Sequence, residues 1–387
     1  MRLCAYPLLA ATALLAAVTL PATPAAGFDQ ITLRASESPS TRRLIQLADD
    51  EEPMWMPERK VEMLMRHRIR FMDVTEWHRN GGDKSLAPPH RIELPTSLTQ
   101  HKQVDSFLRT MNTKLMIRTL TKFTSFRTRY YRSKYGKDSQ EFLLKQIRLV
   151  AQHADKEEGA GNVSVRVFKH DWAQSSIIAR FEGSKYPDET VIVGAHQDSV
   201  NMWMPAYGRA PGADDDGSGT VTILEAFRAL VDGGFKPERS VEFHWYSGEE
   251  AGLLGSQAVA QAYRAQNRKI VAMLQNDMTG FLQSPEVIGI VTDYVDGELT
   301  SLLKQLVDAY SGAKWRELRC GYACSDHASW TKAGYRSAFP FEADSLEANP
   351  NVHTVRDTID TISFDHALRY AKIAVGFAVE LSKRSEN

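Results

Sequence analysis

The feature that most constrains the fold is a regular alternation of short apolar runs with amphipathic stretches, from about residue 97 to residue 382. The apolar runs have the length of strands and lie at residues 163–168, 176–181, 190–195, 241–246, 270–275, 287–291 and 337–341. Helices are predicted at residues 105–126, 139–154, 219–231, 256–264, 300–310 and 365–382. Strands that alternate with helices are typical of a mostly parallel sheet covered on both faces. We therefore predict an α/β fold, with a mostly parallel mixed β-sheet sandwiched between helices in one domain over residues 95–387.

Polar residues cluster where these apolar runs end. The clusters are His196 with Asp198, Asp214 to Asp216, Glu249 with Glu250, Asp277, and His353. Each one alone also fits a structural role, as a hydrogen-bonded histidine, a helix cap, a solvated glutamate pair or a turn residue. Functional groups of open α/β sheets gather beyond the carboxyl ends of the strands, so clusters at consecutive strand ends favour one shared site.

The residue types in these clusters indicate zinc. Imidazole and carboxylate without thiolate form a zinc-type ligand set. Two histidines, two carboxylates and one bridging carboxylate would give each of two metal ions three protein ligands. Such a pair, about 3.5–4 Å apart, activates water and polarises a scissile carbonyl. Of the adjacent Glu249 and Glu250, one can bind metal while the other remains free as a base.

At these clusters the sequence resembles the co-catalytic zinc aminopeptidases of the bacterial and fungal leucyl aminopeptidase type, above all the secreted fungal form. The matching motifs are GAHQDS (194–199), PGADDDGSG (211–219), EEAGL (249–253), NDMT (276–279), CGYACSDHASW (320–330) and HT (353–354). Their order and spacing hold over residues 95 to 385. The resemblance implies a zinc exopeptidase fold and an enzyme that removes apolar, Leu-like residues from the N-termini of peptides.

The resemblance also implies a role for each clustered residue, with two Zn²⁺ per chain. The implied ligands are His196 and Asp277 for one ion, Glu250 and His353 for the other, and Asp215 between both. Glu249 would be the general base, and Asp198 would orient the imidazole of His196. The bond between Asp215 and Asp216 is expected to be cis.

The implied pocket for the first substrate side chain is apolar, which suits a Leu-like residue. Its lining would be Met278, Val291, Tyr322, Phe341 and Val352. Ser345 and Ala348 stand where the bacterial relatives carry aromatic residues. The preference among Leu, Phe and Met therefore stays open.

The N-terminal region differs from the rest of the chain. Residues 1–27 combine Arg2, an apolar run at residues 8–20 and small residues at 25–27, which predicts a secretory signal peptide, with a membrane-anchored helix as the alternative. Residues 28–94 carry mixed charge clusters, no catalytic cluster and one predicted helix at 57–71. They are either a surface extension or a removable pro-segment that inhibits the enzyme or aids its folding.

Export would leave two cysteines in the mature chain, Cys320 and Cys324. Alone they fit either a disulfide in an oxidising compartment or part of a cysteine zinc site. The resemblance implies the disulfide. Asn162 begins a glycosylation sequon, and His327, inside the 320–330 motif, is interpreted as structural.

Composition limits the partners. A net charge of −1 gives no electrostatic reason to expect nucleic acid or an acidic membrane, and no later stretch has the length and apolarity of a membrane helix. We expect a secreted, extracellular monomer that acts on peptides with a free N-terminus. The alternatives are a carboxypeptidase or glutaminyl cyclase on the same scaffold, or a binding domain without activity. The complete ligand set argues against the last two.

Overall fold

The computed structural model describes residues 42–48, 51–82, 89–154 and 162–384. The predicted signal peptide lies outside the described residues, as does the first part of the predicted pro-segment. The strands are β1 (Arg42–Gln46), β2 (Met54–Pro57), β3 (Met72–Asp73), β4 (Val163–Phe168), β5 (Ser176–Phe181), β6 (Tyr186–His196), β7 (Arg239–Tyr246), β8 (Lys269–Gln275), β9 (Ile288–Val291), β10 (Trp315–Leu318), β11 (Ser337–Ala338) and β12 (Pro340–Phe341). The helices are α1 (Glu58–Arg66), α2 (Thr75–Arg79), α3 (His101–Leu108), α4 (Lys114–Phe123), α5 (Lys134–Ala151), α6 (Gly219–Asp232), α7 (Leu254–Ala265), α8 (Gly297–Leu306), α9 (His327–Lys332) and α10 (Phe364–Ser382).

The main sheet has six strands in the order β11-β8-β6-β7-β5-β4. Strands β11, β8, β6 and β7 pair in parallel, and β5 and β4 add antiparallel pairs at one edge. The prediction of a mostly parallel mixed sheet is confirmed. Within the described residues, no helix has the length and apolarity needed to cross a membrane.

Side chains of β6 alternate between two cores, as the geometry of a strand requires. Val191 and Val193 point into the larger core, which contains the apolar faces of α6 and α10. Ile192 points into the second core, with residues of α7 and α9. Both faces of the sheet are therefore covered by helices.

The predicted helix at 105–126 is two helices, α3 and α4. The side chain of Asn112 lies at the break, where its amide donates to the carbonyl of Thr110 and its oxygen accepts from the N–H of Lys114. The N–H of Asn112 itself donates to Glu225. Such local side-chain bonds compete with helical ones, which explains why the apolar periodicity alone gave the wrong boundary.

Two other predicted strands belong to a second sheet, in the order β10-β9-β12. The run at 337–341 divides between sheets, because β11 pairs with β8 whereas β12 pairs with β9. Pro340 has no N–H for the interior of a ladder, and it begins β12. Strand β10 was not predicted from the sequence.

Residues 42–82 form a small three-stranded sheet, β2-β1-β3, with α1 and α2 beside it. This sheet was not predicted. The predicted helix at 57–71 ends at Arg66, so Ile69 lies beyond it and is exposed, contrary to its expected place on the apolar side. Val61 and Met65 are buried as expected.

Candidate active site

The predicted clusters meet at one edge of the main sheet. His196 ends β6, Asp277 lies two residues beyond β8, and Glu249 and Glu250 begin a single helical turn after β7. Because these three strands are mutually parallel, their carboxyl ends lie at the same edge.

Asp215 and His353 reach the same place from loops. Asp215 lies in the irregular turn that precedes α6, and its bond to Asp216 is cis, as the resemblance implied. His353 lies in the loop between β12 and α10, with a φ of 58°. All predicted ligands are thus brought together.

Their ligand atoms form two groups. His196, Glu249 and Asp277 make the first triad, and Asp215, Glu250 and His353 make the second, each with atoms within 4.8 Å of one another. In the first triad, Nε2 of His196 lies 3.5 Å from Oδ1 of Asp277. In the second, Nε2 of His353 lies 2.5 Å from Oδ2 of Asp215 and 3.0 Å from Oε2 of Glu250.

Asp215 faces both triads. Its Oδ1 lies 3.1 Å from Nε2 of His196, while its Oδ2 faces His353. One carboxylate that presents one oxygen to each histidine has the geometry of a bridging ligand.

The donor atoms fit metal ions. The ring nitrogens of His196 and Oδ1 of Asp277 are buried and have no hydrogen-bond partner of good geometry among the described residues. Buried polar atoms normally have partners, so Nε2 of His196 and Oδ1 of Asp277, which lie 3.5 Å apart, indicate a cation site.

The electrostatics agree with a cation site. Burial alone would lower the pKa of His196, but the carboxylates of Asp277 and Glu249 raise it well above its ordinary value. Burial raises the pKa of Glu249, and neighbouring carboxylates raise it further against the opposing effect of His196. Carboxylates crowded into a buried site repel one another, and cations relieve that repulsion.

Comparison with known proteins identifies the arrangement. A model of "Peptidase family M28" matches residues 176–378. Leucine aminopeptidase 1 of Sclerotinia sclerotiorum is 42% identical over 364 residues, covering 92% of each chain. The chain belongs to peptidase family M28. A leucine aminopeptidase 1 of Leptosphaeria maculans is 41% identical over 97% of each chain. The LapA aminopeptidase of Legionella pneumophila superposes with a TM-score of 0.77 at 29% identity, over 89% of this chain and 95% of that one.

This family membership makes the protein a peptide hydrolase, and its relatives indicate an aminopeptidase. The family is zinc-dependent, in agreement with the donor set of the two triads.

Asp198 contacts two parts of the candidate active site. Its Oδ1 lies 3.6 Å from Nδ1 of His196, on the side of the ring away from the triad. It also accepts hydrogen bonds from the N–H groups of Glu249 and Glu250, at 3.1 and 3.3 Å. Asp198 therefore links the β6 histidine to the turn after β7.

Two buried residues that the sequence did not single out hold the loops. Asp357 accepts hydrogen bonds from the N–H groups of Asp214 and Asp215, at 2.8 and 3.1 Å. Arg129 donates to the carbonyls of Gln197, Pro211 and Gly212. Asp357 lies four residues after His353, and this closeness in the sequence could have pointed to a place near the site. Arg129 lies between two helices and belongs to none of the motifs, so nothing in the sequence indicated its role.

The predicted pocket residues lie mostly in one apolar cluster. Met278, Val291 and Phe341 are buried in it, and Val352 packs against them. Tyr322 lies apart from this cluster and lines the cavity beside Glu249 and Glu250. Ala348 packs on the cluster, while Ser345 is exposed.

The wall at Tyr322 is closed by a disulfide between Cys320 and Cys324, as the resemblance implied. The side chain of Asp293 accepts from the N–H groups of Cys320 and Gly321. His327 is buried, and its ring packs against Phe339, 5.0 Å between centroids, outside both triads.

The N-terminal segment, residues 42–48 and 51–82, covers the site. Met65, Ile69, Arg70 and Phe71 line the cavity that Glu249, Glu250 and Tyr322 line from the other side. The remaining cavity has a volume of about 30 Å³. One water molecule occupies about 30 Å³ of liquid, whereas ligand pockets measure about 300–1,000 Å³.

Proposed function

We propose that this protein is a secreted two-zinc aminopeptidase that removes apolar, Leu-like residues from peptides with a free N-terminus. The observation that carries the proposal is the pair of triads, with the carboxylate of Asp215 presenting one oxygen to the histidine of each. Each half of the site then offers one imidazole and carboxylates, which is the donor set that catalytic zinc takes.

The ions would be held by the predicted residues, His196 and Asp277 on one side and Glu250 and His353 on the other, with Asp215 between. When bound, such a pair activates water and polarises the scissile carbonyl. Glu249 accepts a proton from the attacking water and passes it to the departing amine. Asp198 holds the ring of His196 and the turn of Glu249 in place.

The proposed specificity rests on the apolar cluster next to the site. Met278, Val291 and Phe341, which are buried in this structure, would form the uncharged wall of the pocket for the first side chain of the substrate, with Tyr322 and Val352 at its border. An apolar pocket discriminates weakly between side chains that differ by one methylene. We therefore expect Leu, Met and Phe to be accepted, and charged first residues to be poor substrates.

We further propose that residues 1–27 are a signal peptide and that residues 28–94 are a removable pro-segment. The narrow cavity beneath the N-terminal segment supports an inhibitory role, since no peptide fits in about 30 Å³. Asn162, the proposed glycosylation site, is exposed. The protein would act outside the cell as a monomer.

The deciding experiment uses the chain after removal of residues 1–94. It measures hydrolysis of leucine p-nitroanilide, hydrolysis of a peptide blocked at its N-terminus, and cyclisation of an N-terminal glutamine peptide. The proposal expects turnover of the first substrate alone, loss of activity with a chelator and recovery with zinc. Cleavage of the blocked peptide from its C-terminus would show a carboxypeptidase, and ring closure a glutaminyl cyclase. Binding without turnover of any of them would show a domain without activity.

A further inference from the structure

Arg70 enters the catalytic centre from the N-terminal segment. Its Nη1 lies 3.4 Å from Nε2 of His353, the atom that faces the second triad. Burial lowers the pKa of Arg70, but Tyr322 and the carboxylates of Asp215 and Glu250 raise it by more. The guanidinium is therefore a permanent cation beside the second triad.

Once two metal ions are bound, the negative charge of the site is neutralised without the charge of Arg70. The two triads contain four carboxylates, namely Asp215, Glu249, Glu250 and Asp277. Two divalent ions would neutralise them. In their absence, Arg70 supplies part of the positive charge that buried carboxylates require.

The guanidinium of Arg70 and a metal ion bound by His353 would also lie close together. A zinc ion binds imidazole nitrogen at about 2.0–2.1 Å. An ion on Nε2 of His353 would then lie no more than about 5.5 Å from Nη1 of Arg70. Like charges this close repel strongly in a site shielded from water, and arginine cannot lose its proton to relieve the repulsion.

Arg70 is held there by the packing of its own segment. Met65 and Phe71 are buried in a core that also contains Ala251, next to the two glutamates. The N–H of Asp73 donates to the carbonyl of Gly252 at 3.1 Å, and the carbonyl of Asp73 accepts from Gln257 at 2.9 Å. These contacts fix the backbone from which Arg70 reaches the site.

We propose that Arg70 and the metal ion of the second triad exclude each other, so that the attached N-terminal segment keeps the chain poor in metal. This inference rests on the proposed two-metal function. Removal of the segment frees the second triad for its ion. Because coupling between two bound cations is reciprocal, zinc must weaken the hold of the segment as much as the segment weakens zinc.

The test is calorimetric titration of metal-free, full-length chain with zinc, which gives the number of ions and the dissociation constant of each. The variants are Arg70→Met, which removes the charge, and Arg70→Lys, which keeps it. Arg66→Met is the matched control, since Arg66 is an exposed arginine of the same segment, and among the described residues it pairs with Glu62 alone, at 3.9 Å.

We expect the second zinc to bind at least about ten-fold more tightly to the Arg70→Met chain, within the usual range of coupling between sites. Arg66→Met should bind zinc like the unmodified chain, whereas Arg70→Lys, whose ammonium can lose its proton beside a metal ion, should bind the second zinc with an affinity between those of the unmodified and Arg70→Met chains. Hydrogen exchange of residues 58–73 gives an independent readout. Zinc should accelerate it in the unmodified chain and leave it unchanged in Arg70→Met.

Equal and tight binding of two zinc ions by the unmodified and Arg70→Met chains would overturn the exclusion and leave the two-metal function standing. Binding of no zinc by any of the chains would overturn both. A tighter second ion in Arg66→Met as well would show a general charge effect and also overturn the exclusion.

Discussion

Adjacent residues of the same type have different surroundings in this site. Oε2 of Glu250 lies 3.0 Å from His353, and its Oε1 accepts the N–H of Val200 at 3.1 Å. Glu249 lies 3.8 Å from His196 and remains 13% exposed, against 1% for the side chain of Glu250. A fixed, buried carboxylate suits a ligand, whereas one that still reaches solvent suits proton transfer.

Substituting Gln for Glu249 and for Glu250 should therefore impair the enzyme in different ways. In Glu249→Gln both zinc ions should remain bound while kcat falls about 10²–10⁴-fold, the usual contribution of general acid–base catalysis, with a smaller change in KM. In Glu250→Gln one ion should bind weakly, and high zinc should restore part of the activity. The measurements are elemental analysis and steady-state kinetics on leucine p-nitroanilide.

Glu249 also lies in the first triad, so it could itself be a metal ligand. The two variants distinguish that role from the role of general base. Loss of zinc from Glu249→Gln, with both ions retained in Glu250→Gln, would show that the roles are exchanged. A near-normal rate in Glu249→Gln would show that another group is the base.

That His196, Asp215 and His353 belong to one site was predictable from residue types clustered after the apolar runs. Their individual roles follow from the family resemblance and stay predictions. Arg70 was not predictable, since its contact with His353 joins positions 283 apart and the sequence shows only an ordinary basic cluster at 66–70.

At the scale of elements, the loops at the strand ends depend on buried groups that touch no substrate. Arg129 joins the loop after β6 to the turn before α6 through three carbonyls. Burial lowers the pKa of Arg129 to about 10, against the carboxylates of Asp357 and Asp198. The arginine stays charged at neutral pH, so its hydrogen bonds are charge-assisted.

Arg129→Met should lower the free energy of unfolding by about 3–5 kcal/mol, because it leaves buried carbonyls and carboxylates without their cation. Arg127→Met is the control, since Arg127 is exposed and its side chain donates to the carbonyl of Tyr207. Urea unfolding of both variants measures the effect. Equal stability of the two would contradict the role of Arg129.

Helices and strands were predicted correctly where the periodicity of apolar residues determines them. The predictions failed where local side-chain hydrogen bonds or the choice of strand partner determines the boundaries. The strands β6, β7 and β8 lie where their apolar runs predict them. Asn112 broke a predicted helix through side-chain bonds. The run at 337–341 divided between two sheets because strand pairing is set by tertiary contacts that a single run does not encode.

At the scale of the whole molecule, the N-terminal segment and the catalytic fold form one continuous structure. Arg43 of β1 is buried, pairs with Asp73 at 2.5 Å and donates to the carbonyl of Ala251, beside Glu249 and Glu250. The segment therefore contacts the same turn that carries the proposed base. Activity and the state of the N-terminal segment should be linked for this reason.

We propose that aminopeptidase activity needs two zinc ions that share Asp215. The most direct test removes the segment before residue 95 by limited proteolysis, strips the metal and restores zinc stepwise, with bound zinc and hydrolysis of leucine p-nitroanilide measured in the same samples. We predict that full activity requires close to two zinc ions per chain. Full activity with a single bound zinc would contradict the account.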